Sequence, residues 1–184
     1  MIYVALLRGV NVGGKGKVEM SRLKDVFESL GYNNVATYIN SGNVIFVPVG
    51  GSRQKITKDI EDALKAKFGF SIKVILRTQK ELENLVRQTP DTWVNNRLNK
   101  CDVMFLMDEI DSPAILKQIP HNPEAEDVIY LRGAVVWRLD RSKIRQGQVL
   151  KIIGSDIHKK LTVRNPNTVR KILAIIQGKA SDKL

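Results

Sequence analysis

Short apolar runs alternate with stretches of helical spacing over the first 77 residues. The runs predict strands at 2–7, 35–39, 44–47 and 71–76, because each is short and bounded by polar or glycine-rich sequence. Leu23, Val26, Phe27 and Leu30 recur every three or four residues, and apolar residues recur in the same way over 53–68. The first half is therefore predicted to run strand, helix, strand, strand, helix, strand.

Turn and cap residues mark the ends of these predicted elements. Ser21 is placed to cap the first helix, and Gly31 is placed to end it. Residues 40–43, Asn-Ser-Gly-Asn, separate two predicted strands and tolerate positive φ, so they predict a hairpin. The resulting β-α-β-β-α-β order is that of a ferredoxin-like unit.

A polar stretch separates this half from a second one. Thr78 and Glu81 have the spacing of a capping box, which predicts a short helix that ends before Pro90. The turn-rich sequence that follows is the best boundary in the chain. The predicted domains are a first ferredoxin-like half over 1–77, a linker helix and loop over 78–100, and a second ferredoxin-like half with a C-terminal helix over 101–184.

The second half repeats the pattern more weakly. The predicted elements are a strand at 102–107, a helix from Ser112 to Ile119, strands at 128–131 and 135–139, helical stretches over 143–161 and a last helix opened by Asn165 and Pro166. No closing strand is assigned to this half. The predicted fold class is α+β, with two ferredoxin-like halves (α/β plaits) and mainly antiparallel sheets.

Composition limits the compartment and the chemistry. The apolar runs are far too short to span a bilayer, and no basic segment precedes the first strand, so neither a membrane span nor a signal peptide is expected. Cys101 is the single cysteine, which fits a reducing cytoplasm and is expected to be a small buried residue. His121 and His158 lie in no metal-ligand spacing, and both are expected at the surface with no metal site.

The net charge of +11 is concentrated in one part of the chain. Residues 138–171 contain ten basic and two acidic residues, whereas residues 108–127 contain six acidic residues and one lysine. A basic block of this kind attracts phosphate or nucleic acid, and it also serves simply to keep a protein soluble. Charge alone leaves both interpretations open.

A glycine-rich basic loop follows the first strand and is the first candidate site. Its candidate residues are Arg8, Asn11, Gly13, Gly14, Lys15 and Lys17. Glycines allow backbone N–H groups to approach an anion, and the lysines add charge. The loop is nearly a P-loop, but Gly16 stands where Ser or Thr would bind Mg²⁺, and the hairpins contradict a parallel sheet. A flexible loop is an equally good interpretation.

Two further segments could meet the same ligand. The hairpin tip offers Asn40, Ser41 and Asn43, although turn formation alone explains these residues unless the tip lies near the first loop. The third segment offers Arg164, Asn165 and Thr168 at the start of the last helix. A helix N-terminus beside an arginine suits a phosphate or carboxylate, and an ordinary helix start is the simpler alternative.

These three segments also resemble the signature of a known family. The stretches Leu-Arg-Gly-Val-Asn-Val-Gly-Gly-Lys at 7–15, Thr-Tyr-Ile-Asn-Ser-Gly-Asn-Val-Ile-Phe at 37–46 and Thr-Val-Arg-Asn at 162–165, with Thr168, are similar to domain-of-unknown-function family 1697. The resemblance implies a bacterial protein of two ferredoxin-like plaits in which all three segments matter, and it names no ligand. The family usually carries Trp after the Arg-Asn pair, whereas this chain has Pro166.

Three functional hypotheses follow. In the first, the loop and the Arg164 segment form a cationic cleft that binds a phosphate-bearing small molecule or nucleic acid. In the second, the protein is an enzyme on a phosphorylated or nucleotide substrate, with Asp108 as an acid. In the third, the segments only form turns and ion pairs. The sequence does not identify a cofactor, a catalytic residue or an oligomeric state.

Overall fold

A computed structural model, which describes residues 1–14 and 16–178, shows an α+β protein with two four-stranded antiparallel sheets. Each sheet is packed with helices, and this confirms the predicted fold class of two ferredoxin-like halves. Within the described residues, no helix is long and apolar enough to cross a membrane.

The first sheet has the strand order β2-β3-β1-β4, with every pair antiparallel. Its elements are β1 (Tyr3–Leu7), α1 (Met20–Ser29), β2 (Asn33–Tyr38), β3 (Asn43–Val47), α2 (Arg53–Phe68) and β4 (Val74–Thr78). The predicted order is therefore confirmed for this half. The predicted last strand lies two to three residues too early, because the apolar residues from Ile72 begin before the ladder does.

Helical spacing creates the core beneath this sheet. Leu23, Val26 and Phe27 of α1 are buried, as are Ile56 and Ile60 of α2. They pack on the apolar residues that alternate along the strands, and the Phe27 and Phe46 rings meet edge to face at 5.1 Å. The periodic residues thus bury one stripe of each helix, which is the main source of stability for such helices.

The caps of the two helices follow the expected chemistry at three of four ends. Ser52 accepts the Lys55 N–H at the start of α2, and Gly69 ends that helix with a φ of +80°. Gly31, with a φ of +78°, follows α1 as predicted. The prediction for Ser21 is wrong: α1 begins at Met20 with Glu19 at the N-cap position, and the Ser21 hydroxyl donates to the Glu19 carboxylate.

The second sheet has the order β6-β7-β5-β8 and is also antiparallel throughout. Its part of the chain contains α3 (Gln79–Gln88), β5 (Asn99–Leu106), β6 (Glu126–Leu131), β7 (Ala134–Asp140), α4 (Asp156–Lys159), β8 (Leu161–Arg164) and α5 (Pro166–Ile176). Short 3-10 helices occupy Asp108–Ile110, Pro113–Gln118, Arg141–Gln146 and Val149–Ile152.

Two expectations for this half need correction. A closing strand exists, since β8 pairs with β5 from Leu161 to Arg164. This strand is short, and polar Thr162 and Arg164 interrupt its apolar pattern, so the sequence did not mark it. The segment predicted as a helix from Ser112 is a 3-10 helix, and Ser112 makes no side-chain cap.

The two sheets have the same register. Leu7 N donates to Gly42 O at 2.8 Å and Arg8 N donates to Lys73 O at 2.8 Å. At the corresponding places Leu106 N donates to Gly133 O at 3.0 Å and Met107 N donates to Lys160 O at 3.0 Å. Equivalent positions can therefore be assigned along β1 and β5 and along β3 and β7, and Tyr3 opposite Phe46 corresponds to Asp102 opposite Trp137.

Contacts divide the chain into two units that differ from a simple division into halves. Among the described residues, the first unit contains Met1–Lys80 and 172–178, whereas the second contains Glu81–Lys171. The end of α5 thus belongs with the first unit, where Ile175 and Ile176 line a pocket with Ile2 and Phe46. The sequence-based domain boundaries remain a prediction.

Candidate functional site

The loop after β1 is built from left-handed residues. Gly9, Gly13, Gly14 and Gly16 all have φ between +59° and +75°, and Asn11 has a φ of +55°. A backbone hydrogen bond from Asn11 N to Gly16 O, 3.0 Å long, closes the loop. Glycine is needed at 16, because a Cβ there would lie 2.9 Å from the Gly9 carbonyl oxygen. Lys15 lies outside the described residues.

The Asn11 side chain joins this loop to the hairpin tip. Its Nδ2 donates to Val18 O at 2.9 Å and to Asn40 O at 2.8 Å, and its Oδ1 accepts the Val18 N–H at 2.8 Å. One amide therefore closes the loop and attaches it to a turn 29 residues away in sequence. The first two predicted segments thus lie together in the first unit.

The hairpin tip packs closely against the start of the loop. A Cβ on Gly42, whose φ is +72°, would lie 2.6 Å from Val10 Cγ2 and 2.8 Å from Leu7 Cβ. Only a glycine lets the tip approach Val10 and Leu7 this closely. Ile39 has a φ of +48°, which is rare for a β-branched residue and marks local backbone strain at the tip.

The predicted residues of the tip differ in their exposure. Asn40 is exposed and Ser41 is half-buried, whereas Asn43 is fully buried as the first residue of β3. The Asn43 amide donates to Tyr38 O and to Ser41 Oγ, both at 2.9 Å. Asn43 therefore holds the shape of the turn, while Asn40 and Ser41 form its surface.

The surface of this site combines exposed backbone with positive charge. Gly9, Gly13, Gly14 and Lys17 are exposed, and Arg8 is half-buried. Val12, in the same loop, is 68% exposed, so the surface also includes an apolar side chain. Chemically, such a surface provides amide donors and cations for an anion.

The third predicted segment lies in the second unit and has a different character. Arg164 ends β8 with 6% of its surface exposed, and its Nη1 donates to Thr162 Oγ1 at 2.9 Å and Val163 O at 2.8 Å. Burial lowers the pKa of Arg164 to about 10. Asn165 Oδ1 accepts the Asn167 N–H at 2.8 Å and so caps α5, while Thr168 is half-buried in its first turn.

Most cations of the basic block have partners within their own unit. Arg138 pairs with Asp127, Lys160 with Glu109 at 2.9 Å, and Lys159 with Asp156 at 2.8 Å. Further hydrogen bonds to backbone or side-chain oxygens are made by Arg141, Lys143, Arg164 and Arg170. The high charge of this part of the chain is thus largely used in its own folding.

Comparison with known proteins identifies the family. Residues 1–137 match a family model described as a protein of unknown function, DUF1697. The chain belongs to the DUF1697 family. A similar solved structure, that of conserved bacterial protein SP0830 from Streptococcus pneumoniae, superposes with a TM-score of 0.81 at 24% identity. The match covers 95% of this chain and 98% of that chain, and it shows the fold alone. No curated protein matches the sequence.

The acidic stretch of this DUF1697 chain contributes a structural carboxylate, Asp111, to the second unit. Asp108 is exposed in a 3-10 helix, and Asp111 Oδ1 accepts the Tyr130 hydroxyl at 2.9 Å and the Gly133 N–H at 2.8 Å.

Across residues 1–14 and 16–178, no three His, Cys, Asp or Glu side chains are placed to hold a metal ion. His121 is exposed as expected, but His158 is half-buried and lines a pocket.

Sequence reasoning missed Glu126, a buried carboxylate at the start of β6. It accepts N–H groups from Asn122, Gln148 and Val149, and the indole N–H of Trp137, at 2.8 to 3.1 Å. The sequence shows only one acid among several near the end of the acidic stretch. Its partners lie up to 23 residues away, so no local pattern could have identified it.

Cys101 is buried in β5, as expected, and its thiol should be unreactive in the folded protein. Burial raises the pKa of Cys101 from 9.0 to about 11, which lowers the thiolate fraction roughly 100-fold. We expect native protein to react with a disulfide reagent at least about 100-fold more slowly than protein unfolded in urea. Equal rates, followed by absorbance at one pH, would contradict this assignment.

Proposed function

We propose that the first unit binds a phosphate-bearing ligand, a nucleotide or nucleic acid, at the surface formed by the 8–17 loop and the hairpin tip. The observation that carries the proposal is the Asn11 amide, which joins the two segments through Asn40 O at 2.8 Å. It fixes a run of left-handed glycines in one place, so their N–H groups do not have to be ordered on binding.

The charge of this surface suits the same ligand. Lys17 is exposed and Arg8 is half-buried beside the loop. Backbone N–H groups in left-handed turns form concave anion sites, and nearby cations strengthen them. Of the three segments predicted from the sequence, these two carry the proposal, while Arg164 uses its guanidinium for Thr162 and Val163 of its own unit.

The second unit supports a ligand role for the glycines rather than a purely structural one. Its corresponding loop is tied to its own hairpin tip by Asp111, which accepts the Gly133 N–H at 2.8 Å. That junction contains acids and no glycine between 107 and 112. The second unit keeps the tie without glycines or lysines, so Lys17 and the exposed Gly9, Gly13 and Gly14, where an added Cβ would meet no atom within 4 Å, are the features left for binding.

The test is a binding titration with inorganic phosphate, ADP and a short single-stranded DNA, at low and high salt. We expect the Lys17→Gln variant to bind roughly tenfold more weakly, because a charge-assisted hydrogen bond contributes about 1.5 kcal/mol. Its melting temperature should match that of the wild type, since Lys17 is exposed. The matched control is Lys67→Gln, an exposed lysine in the last turn of α2.

The pattern of results separates the hypotheses. Weaker binding in Lys17→Gln with no change in Lys67→Gln supports the site. Equal losses in both variants that disappear at high salt would show a non-specific basic surface and refute it. An Asn11→Ala variant that loses stability while Lys17→Gln keeps full affinity would leave only the structural role. We further propose a cytoplasmic location, where such ligands occur and where a single buried thiol is expected.

A further inference from the structure

The second unit contains an apolar pocket that is separate from the loop described above. Its volume is about 190 Å³, and a cavity of roughly 150 Å³ is enough for a benzene ring. The lining residues are Asp102, Met104, Trp137, Val149, Leu150, Ile152, Ile153, His158 and Val163. A pocket with an apolar lining and few polar groups is the usual form of a small-molecule site.

The pocket lies where three short helical elements of the second unit replace a continuous helix of the first unit. In the first unit the segment between the third and fourth strands is α2, a continuous helix of 16 residues. In the second unit the same segment is divided into two 3-10 helices and the four-residue α4. The shorter elements cover the sheet incompletely, so the side chains of β5 and β8 border an open space.

A difference in side-chain size between equivalent positions of the two sheets leaves further space in the pocket. Tyr3 in the first sheet lies opposite Phe46, and the two rings stack with centroids 6.1 Å apart. In the second sheet the equivalent pair is Asp102 opposite Trp137. A short carboxylate therefore stands where the first unit has an aromatic ring that fills the space.

The Asp102 carboxylate is placed for a partner that the described chain does not supply. Neither a hydrogen bond nor an ion pair holds it within residues 1–14 and 16–178, and burial raises its pKa to about 6. The nearest cation on its strand, Lys100, lies over the Trp137 ring with its Nζ 5.4 Å from the centroid. The charge of Lys100 only partly offsets this effect of burial on the Asp102 pKa, and a partly buried acid with no hydrogen-bonding partner among the described residues is a candidate for function.

The mouth of the pocket is apolar and open to solvent. Leu150, Ile153 and Val163 are 44%, 63% and 40% exposed, and all three line the pocket. Large apolar side chains grouped at the rim of a concave surface mark a binding site rather than an ordinary surface. A ligand could thus cover three exposed side chains and place a polar end at Asp102.

We infer that this pocket binds a small organic ammonium ion, with its aromatic or branched aliphatic body among Trp137, Ile152 and Ile153 and its ammonium group paired with Asp102. An ammonium ion supplies a positive charge to pair with this carboxylate and N–H groups that donate hydrogen bonds to its oxygens. The inference does not depend on the proposed function, because every residue that it uses lies in the second unit.

The test uses benzylammonium as the probe and benzyl alcohol as its neutral counterpart. In a Trp93→Phe background the Trp137 indole N–H gives one resonance, and its shift is followed during titration. We expect saturable binding of benzylammonium, at least about tenfold weaker in Asp102→Asn, since a charge-assisted bond is lost. Asp91→Asn, an exposed acid of the same unit, is the matched control and should bind like the parent protein.

The pH dependence and a filled pocket provide independent readouts. Affinity should fall as the pH is lowered through about 6, where Asp102 takes up a proton, and Asp102→Asn should lack this change. The titratable groups near Asp102 are Lys100 from β5 and His158 from α4. The pocket residues from β7, β8 and the 3-10 helix Val149–Ile152 are not titratable. Asp102→Tyr, which copies Tyr3, should abolish binding without loss of the melting temperature.

Three outcomes would overturn the inference. They are no saturable shift of the Trp137 resonance, equal affinity for benzyl alcohol, and unchanged affinity in a folded Asp102→Asn variant. Because these measurements leave Lys17 and the 8–17 loop untouched, their failure is distinct from a failure of phosphate binding.

Discussion

Replacing Glu126 with alanine is expected to lower the free energy of unfolding by about 3–5 kcal/mol, because it leaves several buried donors without an acceptor. Glu126 is 3% exposed, and its two oxygens accept the N–H groups of Asn122, Gln148 and Val149. The Trp137 indole N–H is the fourth donor, at 3.1 Å. The alanine variant also leaves a cavity, so the energetic loss has two sources.

Urea unfolding followed by circular dichroism measures this effect. Glu124→Ala is the matched control, since Glu124 is exposed two residues away and its side chain should contribute less than about 0.5 kcal/mol. The loss in free energy of unfolding for Glu126→Gln should lie between those of Glu126→Ala and Glu124→Ala. An amide keeps one acceptor oxygen but turns an N–H₂ group toward other donors. A Glu126→Ala midpoint equal to that of Glu124→Ala would show that solvent replaces the carboxylate.

The second large effect is expected at the hairpin tip. Gly42→Ala should destabilise the protein by about 2–4 kcal/mol, through an unfavourable φ and steric overlap. The φ of Gly42 is +72°, and the added Cβ would lie 2.6 Å from Val10 Cγ2 and 2.8 Å from Leu7 Cβ. The second contact is close to the backbone, so it cannot be relieved by turning a side chain.

Gly69 provides the control that separates the two terms. Its φ of +80° resembles that of Gly42, and a Cβ there would meet no atom within 4 Å. Gly69→Ala should therefore cost only about 1 kcal/mol, the conformational part alone. Equal melting temperatures for the two variants would mean that the tip moves away from Val10 easily, and the close packing of the tip on the loop would then be disproved.

The sequence predicted the order of elements because local spacing determined them. The predicted extent of α2, about 53–68, agrees with the observed Arg53–Phe68, since strong periodicity coincides with Ser52 before the helix and Gly69 after it. The hairpin at 39–42 was also recognised, although its turn was placed one residue late because Asn43 is a turn former by composition. In this strand Asn43 is buried and bonded to Tyr38 O, which only the fold makes possible.

What the sequence could not show depends on contacts between distant residues. The bond from Asn11 to Asn40 joins residues 29 apart, and either asparagine alone predicts only a turn. Arg164 was expected at a helix start, but β8 buries it, and a single charged residue in a four-residue strand hides the strand pattern. The sequence identifies Asp102 only as the first residue of a predicted strand. Its position in a pocket depends on how the segment between β7 and β8 packs on the sheet, which no local pattern reveals.

The division of the chain has a consequence for its synthesis on the ribosome. The first unit begins at Met1 but includes Ile175 and Ile176, which line a pocket with Ile2 and Phe46. Its four strands can pair early, yet this part of its packing waits until the second unit has also been translated. The second unit, Glu81–Lys171, is complete in sequence before then. The unit whose translation begins first is therefore finished after the second unit, and until then its early intermediate lacks the packing of Ile175 and Ile176 beside Ile2 and Phe46.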